Sequence, residues 1–170
     1  MDFIGKLKEF NIEINEEQIK SFEKYMNLLL EWNEKINLTA ITQPDEVKLK
    51  HFVDSLTVLK YINDDDKVID IGTGAGFPGI PLKIMNENTK ITLLDSLNKR
   101  INFLNIVIET LNLRNIQAIH GRAEEIARNK LYREKYDVAV SRAVANLSTL
   151  TEYMLPFVKV GGKCICMKGA

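Results

Sequence analysis

"VIDIGTGAGFPGIPLKI", residues 68–84, joins an apolar run to the first turn of a helix through a burst of glycines. A strand followed by such a joint brings backbone N–H groups close to whatever is bound above the sheet. Working outward, the apolar runs KVIDI (67–71), KITLLD (90–95), NIQAI (115–119), YDVAV (136–140) and GKCICMK (162–168) alternate with helical stretches. The clearest helix is 97–111, where Leu97, Ile101, Leu104, Ile108 and Leu111 form one stripe. Strands that are apolar on successive residues are covered by helices on both faces. The pattern predicts an α/β fold, a Rossmann-like, doubly wound and mostly parallel sheet, with its ligand above the C-terminal ends of the strands.

Residues 1–62 read instead as a helical extension packed on that core. Ile19, Phe22, Met26 and Leu29 recur at helical spacing. In TQPDE, Thr42 is placed to cap a helix, with Pro44 near its first position and Asp45 three residues on; Phe52, Leu56 and Leu59 follow. A polar break, NDDDK, leads into the ligand-binding domain, residues 63–170. The 23 acids and 23 bases balance, so an RNA ligand would need a local basic patch rather than a global field. The N-terminus has no secretion-signal core, and the apolar runs are too short to span a bilayer. Cys164 and Cys166, two apart in a strand, would make a strained disulfide, so reduced thiols and a cytoplasmic location are expected.

Gly74, Gly76 and Gly79 satisfy G-x-G-x-x-G, and Asp95 ends the next strand 19 residues after Gly76, close to the dinucleotide fingerprint. Asp70 turns the reading away from it. A carboxylate two residues before Gly72 repels a pyrophosphate but attracts a cation. S-adenosylmethionine carries a sulfonium and an ammonium there, and no phosphate. Gly72 widens the loop to GTGAG, a cradle for the methionine end of that donor. Asp95 suits the adenosine ribose of either cofactor. The alternative, a nicotinamide-dependent oxidoreductase, rests on the same Gly74, Gly76, Gly79 and Asp95.

At these residues the chain resembles a known family, the bacterial 16S ribosomal RNA (guanine-N7)-methyltransferases called RsmG or GidB. DIGTGAGFPGIPL (70–82), with Pro78 and Pro81, looks like that family's first motif. LLDSLNKRINFL (93–104), GRAEE (121–125) and SRAVA (141–145) continue it in order, and EWNEKINLTAI (31–41) and KHFVDSL (50–56) resemble its N-terminal signatures. The resemblance implies methyl transfer from S-adenosylmethionine to ring nitrogen 7 of a guanine in 16S RNA of the small ribosomal subunit. It implies that Gly72 and Phe77 line the cofactor pocket, that Ala123 and Glu124 meet the adenine, and that Arg142 faces cofactor and base as the catalytic residue. Similar proteins continue past Lys168 and Gly169 into two further strands, so a truncated sheet with an unpaired fifth-strand edge is expected.

The remaining residues fit such an acceptor. The slot after the fourth strand reads SRAV rather than the Asn/Asp-Pro-Pro-aromatic loop that commonly holds exocyclic amines. Pyrimidine carbon-5 methylation needs a cysteine nucleophile, whereas Cys164 and Cys166 read as small core residues. Ring nitrogen 7 has a lone pair and no proton, so it needs placement and no base. Arg142 can donate to the guanine Hoogsteen edge or to phosphate, or form a strand-end salt bridge. His51 and Asp54 share a helix face and suit either a ligand contact or a helix–helix hydrogen bond. His120 lacks company for a metal, and no metal site is expected. Glu125 points to solvent in this reading, and Trp32 packs. Lys99, Arg100, Arg122 and Lys168 fall where an RNA backbone could lie. A small-molecule methyltransferase and a non-catalytic binding module remain as alternatives.

Overall fold

A computed structural model describes residues 2–142 and 145–167 of the chain. Five parallel strands, β1 (Lys67–Ile71), β2 (Lys90–Asp95), β3 (Ile116–His120), β4 (Tyr136–Arg142) and β5 (Val158–Met167), lie in the order β3-β2-β1-β4-β5. The chain winds outward from β1 through β2 to β3, then returns to place β4 on the other side of β1. The reversal opens a crevice between β1 and β4 at their C-terminal ends, where sheets of this kind bind ligands. The glycine loop leaves β1 on one side of it, and Arg142 ends β4 on the other.

Strand alternation sorts the side chains into two cores. Val68, Leu93, Val138 and Val140 face α5 (Gly79–Met85), α6 (Asn98–Thr110) and the N-terminal helices. Ile69, Ile71, Leu94 and Ala139 face the opposite way, toward α8 (Leu147–Met154) and the short α7 (Ala123–Ile126). Asp70, between Ile69 and Ile71, therefore shares the face of Val68 and points under α5. Helix α6 begins at Asn98, with Leu97 as its 40% exposed N-cap. Its buried residues are Ile101, Phe103, Leu104 and Val107, because it meets Trp32 of the extension as well as the sheet, the Trp32 and Phe103 rings lying 6.3 Å apart.

The extension opens with α1 (Phe3–Glu9) and α2 (Glu16–Asn33). Asn15 and Gln18 start α2 with a reciprocal capping box. Phe22, Tyr25, Met26 and Leu29 form its buried stripe. The stripe meets Phe3 and Phe52, with Phe3–Phe22 and Phe22–Phe52 centroids 5.4 and 4.9 Å apart, in the same apolar cluster as Val68 and Leu93. Next, α3 (Pro44–Glu46), a π-helical segment (Val47–Val53) and α4 (Asp54–Leu56) follow without a break. Gln43, not Thr42, occupies the N-cap there, and no side chain caps it; Pro44 alone marks the start.

β5 begins earlier than its apolar run, since a register shift opposite Tyr136 and Val138 admits the exposed Val160 and the left-handed Gly161. Cys164 and Cys166 are free, half-buried thiols against the Ile69 core. Lys168 and Gly169 lie outside the described residues.

Gly79 shows how tightly the first joint is closed. A Cβ there would strike the Leu93 side chain and stand 2.9 Å from Asp70 Oδ2. Gly79→Ala is expected to cost about 1–3 kcal/mol in urea or thermal denaturation. Val160→Ala, at a 97% exposed position, is expected to stay within about 0.5 kcal/mol of the parent. Equal midpoints for Gly79→Ala and the parent would contradict this packing.

Candidate functional site

The loop after β1 holds three glycines in the left-handed region, Gly72, Gly74 and Gly76, at φ of 66°, 59° and 106°. Their surroundings differ. A Cβ on Gly76 would stand 2.7 Å from both Ile80 Cγ1 and the Tyr25 hydroxyl, so close packing excludes a side chain. A Cβ on Gly74 would meet nothing within 4 Å. Gly72 and Gly74 are half-exposed while Ala75 to Ile80 are buried. The open side of the loop, where another molecule can approach backbone, is thus 72–74.

Beneath it lies Asp70, with no exposure. Its Oδ2 accepts from the Thr73 hydroxyl at 2.7 Å and from the Gly79 amide at 2.8 Å, tying loop and helix start to the strand end. Its Oδ1 has no hydrogen-bond partner among the described residues. Burial raises its pKa to about 7, against the lowering influence of the Thr73 and Gly79 bonds and of Arg142; Asp95 adds to the rise. A cation near the loop favours the ionised carboxylate, so its affinity rises with pH until Asp70 is ionised without it, above about 7.

A further anchor comes from the extension. The Tyr25 hydroxyl donates to the Ala75 carbonyl at 2.5 Å, and its ring stacks on Phe52, centroids 5.4 Å apart. Burial holds the phenol well above its usual pKa, so it stays a donor.

Asp95 closes the other flank. Only 2% exposed, it accepts from the Gly74 amide (2.8 Å) and the Leu97 amide (3.0 Å), with the Arg100 guanidinium at 3.5 Å. Each oxygen already has a backbone donor, so a ribose would take only the remaining lone pairs. Its own carbonyl accepts from the Gly121 amide at 3.0 Å, which draws the start of α7 toward it. There Ala123 is half-buried and Glu124 exposed, as is Glu125. Gly72, Gly74, Asp95, Ala123 and Glu124 thus follow the C-terminal rim of β1, β2 and β3. His120 pairs with the Ser96 carbonyl at 3.0 Å.

Across the crevice stands Arg142. Its Nη2 lies 2.8 Å from His51 Nδ1, and its Nη1 reaches Asp54 Oδ2 at 3.4 Å and the Lys50 carbonyl at 3.5 Å. The strand-end salt bridge therefore exists, and His51 and Asp54 turn their shared face to it. The guanidinium carbon sits 5.0 Å from the Phe77 ring centre, and the His51 ring stacks on Phe77 at 4.4 Å and 10°. Phe77, 4% exposed, is a buried platform under the loop. Nothing local in the sequence joins Tyr25 to Ala75 or His51 to Arg142, whose partners lie 50 and 91 residues apart.

Two concavities lie away from this site. A groove of about 970 Å³ runs past Asp64, Asn86 and Asn115, at the N-terminal ends of β1, β2 and β3, and one of about 400 Å³ lies by Phe10 and Leu56. Neither touches the glycine loop. Position at the switch point, with convergent polar groups, is the stronger indicator of function here than cavity size.

The family model GidB, described as rRNA small subunit methyltransferase G, matches residues 18–170. The chain is 56% identical over 175 residues to ribosomal RNA small subunit methyltransferase G of Clostridium botulinum (strain Loch Maree / Type A3), covering 99% of this chain and 73% of that one. It is 54% identical over 170 residues to the protein of the same name from Oenococcus oeni (strain ATCC BAA-331 / PSU-1), covering 98% and 70%. Among solved structures it resembles a SAM-dependent methyltransferase from Aquifex aeolicus, with a TM-score of 0.54 at 20% identity over 76% of this chain and 67% of that one. It also resembles P. horikoshii TYW2 in complex with MeSAdo, with a TM-score of 0.54 at 14% identity over 70% and 42%. Likeness at these identities shows a shared fold.

Tyr25→Phe keeps the ring stack and strands the Ala75 carbonyl. It is expected to lower stability by about 1–3 kcal/mol and to speed amide exchange of a peptide covering 72–79, read by hydrogen-exchange mass spectrometry. Unaltered exchange there would show that the hydroxyl does not hold the loop.

Proposed function

The chain belongs to the GidB family of rRNA small subunit methyltransferases G, and from that premise we propose that it moves a methyl group from S-adenosylmethionine to ring nitrogen 7 of a guanine in 16S ribosomal RNA. The observation that carries the donor half of this reading is the unpaired, buried Oδ1 of Asp70 beside the open loop at Gly74. A cationic donor relieves that carboxylate; a diphosphate would set negative charge against it. In this reading the backbone at Gly72 and Gly74 receives the methionine end, Asp95 the ribose hydroxyls, and Ala123 and Glu124 the adenine. Phe77 supports the loop from below.

Bound there, the donor supplies a methyl group already activated on positive sulfur. The guanine nitrogen lone pair forms the new N–C bond, and the S–C bonding pair returns to sulfur. Positive charge passes from sulfur to the methylated base, and no proton moves. The protein's task is then to hold two reactants in line and keep water out. Arg142 carries a permanent charge with five donors, suited to the O6 acceptor on the edge shared with nitrogen 7, or to an adjoining phosphate. Lys99 and Arg122 are exposed and Arg100 half-exposed near the same strand ends, where an RNA backbone would pass. The small ribosomal subunit is the partner, and the cytoplasm the location, that go with this substrate. No described helix is long and apolar enough to cross a membrane.

The test is transfer of labelled methyl from S-adenosylmethionine to 16S RNA and small subunits from cells lacking the enzyme, followed by mapping of the modified base. Label is expected on ring nitrogen 7 of one guanine. Label on an exocyclic amine, or only in a low-mass product, would overturn the assignment.

A further inference from the structure

Arg142 does not reach the crevice unaided. Its side chain is 20% exposed, and its contacts with His51, Asp54 and Lys50 all come from the extension, 88 to 92 residues earlier in the chain. We propose that His51 is a positioning residue for the methyl-transfer reaction: as the neutral Nε2–H tautomer, it holds the Arg142 guanidinium on the Phe77 ring so that the arginine's free edge faces the acceptor base. The proposal rests on the methyltransferase reading above.

The tautomer follows from donor and acceptor roles. Arginine has donors only, so His51 Nδ1, 2.8 Å from Arg142 Nη2, is the acceptor. The proton then sits on Nε2 and is donated to Thr39 Oγ1 at 2.8 Å. Thr39 is fixed in turn, its Oγ1 accepting from the Ile41 amide at 3.0 Å and its own amide donating to Asn33 Oδ1 at 2.8 Å. His51 is 7% exposed, and the Phe77 stack holds its ring plane. Burial, with the nearby Arg142, pushes its pKa down to about 4, so it remains an acceptor at neutral pH. The 2.8 Å bond sets imidazole and guanidinium side by side against one aromatic ring.

The alternative partner shows why this placement needs holding. Asp54 is 45% exposed in its side chain and meets Arg142 through one nitrogen at 3.4 Å. Arginine and carboxylate prefer a two-bond fork. Without His51 the guanidinium can close that fork on Asp54 and swing outward. His51 thus opposes an ion pair that would draw Arg142 from the crevice. Because the reaction moves no proton, misplacement of the arginine is the damage expected. Such a shift costs on the order of 10²-fold in rate.

The experiment combines RNA methyl-transfer rates with nitrogen-15 NMR of the His51 ring. His51→Ala is expected to lower kcat/KM for RNA roughly 10- to 100-fold, and His51→Asn, whose Oδ1 can replace the acceptor, to recover part of it. In an Arg142→Ala background, His51→Ala should change the rate little, since the two act as one unit. NMR should show Nε2 protonated and Nδ1 bare, with that preference lost in Arg142→Ala. Should His51→Ala fail to fold, Thr39→Val tests the same chain, with a slowed rate and a weakened tautomer preference. Unchanged transfer in the His51 and Thr39 variants, multiplying losses in the double variant, or a proton on Nδ1 would each overturn the proposal. Wild-type transfer by Arg142→Ala would overturn it by removing the arginine from the site. If the parent methylates no RNA at all, the functional reading falls, while the NMR result still decides whether His51 holds Arg142.

Discussion

A buried carboxylate that lacks a full set of partners organises this molecule. Asp70 stands one residue before the end of the central strand, on the face that α5 covers, where a charge is costly unless paired. Two bonds to Oδ2, from Thr73 and Gly79, set the width of the glycine loop and the start of α5. The other oxygen meets no partner among the described residues. A fold selected for stability alone would fill that gap, and the cost of leaving it open is explained when a cation arrives above the loop. The pKa of about 7 expresses the same tension, since the lone protein is nearly indifferent between charged and neutral carboxyl at neutral pH.

The helical extension belongs to the same arrangement. Tyr25 reaches 50 residues ahead to the loop carbonyl at Ala75, and the π-helical turn carries His51 to the end of β4. Single π-type turns frequently mark functional positions because they re-aim side chains that a regular helix would direct elsewhere. Here His51 couples the glycine loop to the end of β4, through Phe77 on one and Arg142 on the other. The extension and the sheet also share one apolar cluster, so the loop and the arginine are held by packing as well as by hydrogen bonds.

Much of this was legible in the sequence. The runs at 67–71 and 90–95 coincide with β1 and β2, since fully buried parallel strands are apolar throughout and end sharply at glycine or at acid. The glycines and Asp70 announced the loop because they are local to it. What the sequence does not show is the distant determinant. Three aromatic residues of the extension, Tyr25, His51 and Phe52, pack around Phe77. The backbone partners of Asp95 at Gly74 and Leu97 appear only when β1 and β2 lie side by side. Thr42 had the chemistry of a cap but stands one residue too early. Tyr25 lay in an ordinary helical stripe, where nothing distinguishes a hydroxyl with a distant partner from simple core packing.

Selection of a positively charged methyl donor by a buried acid over a doubly negative diphosphate is the claim from which the remaining chemistry descends. Calorimetric titration with S-adenosylmethionine and with NAD, repeated between pH 5.5 and 8.5, examines it most directly. The account predicts heat for S-adenosylmethionine alone, with affinity that weakens as pH falls below about 7 and loses that dependence in Asp70→Asn. Tight binding of NAD to the parent protein, with no response to S-adenosylmethionine, would contradict it.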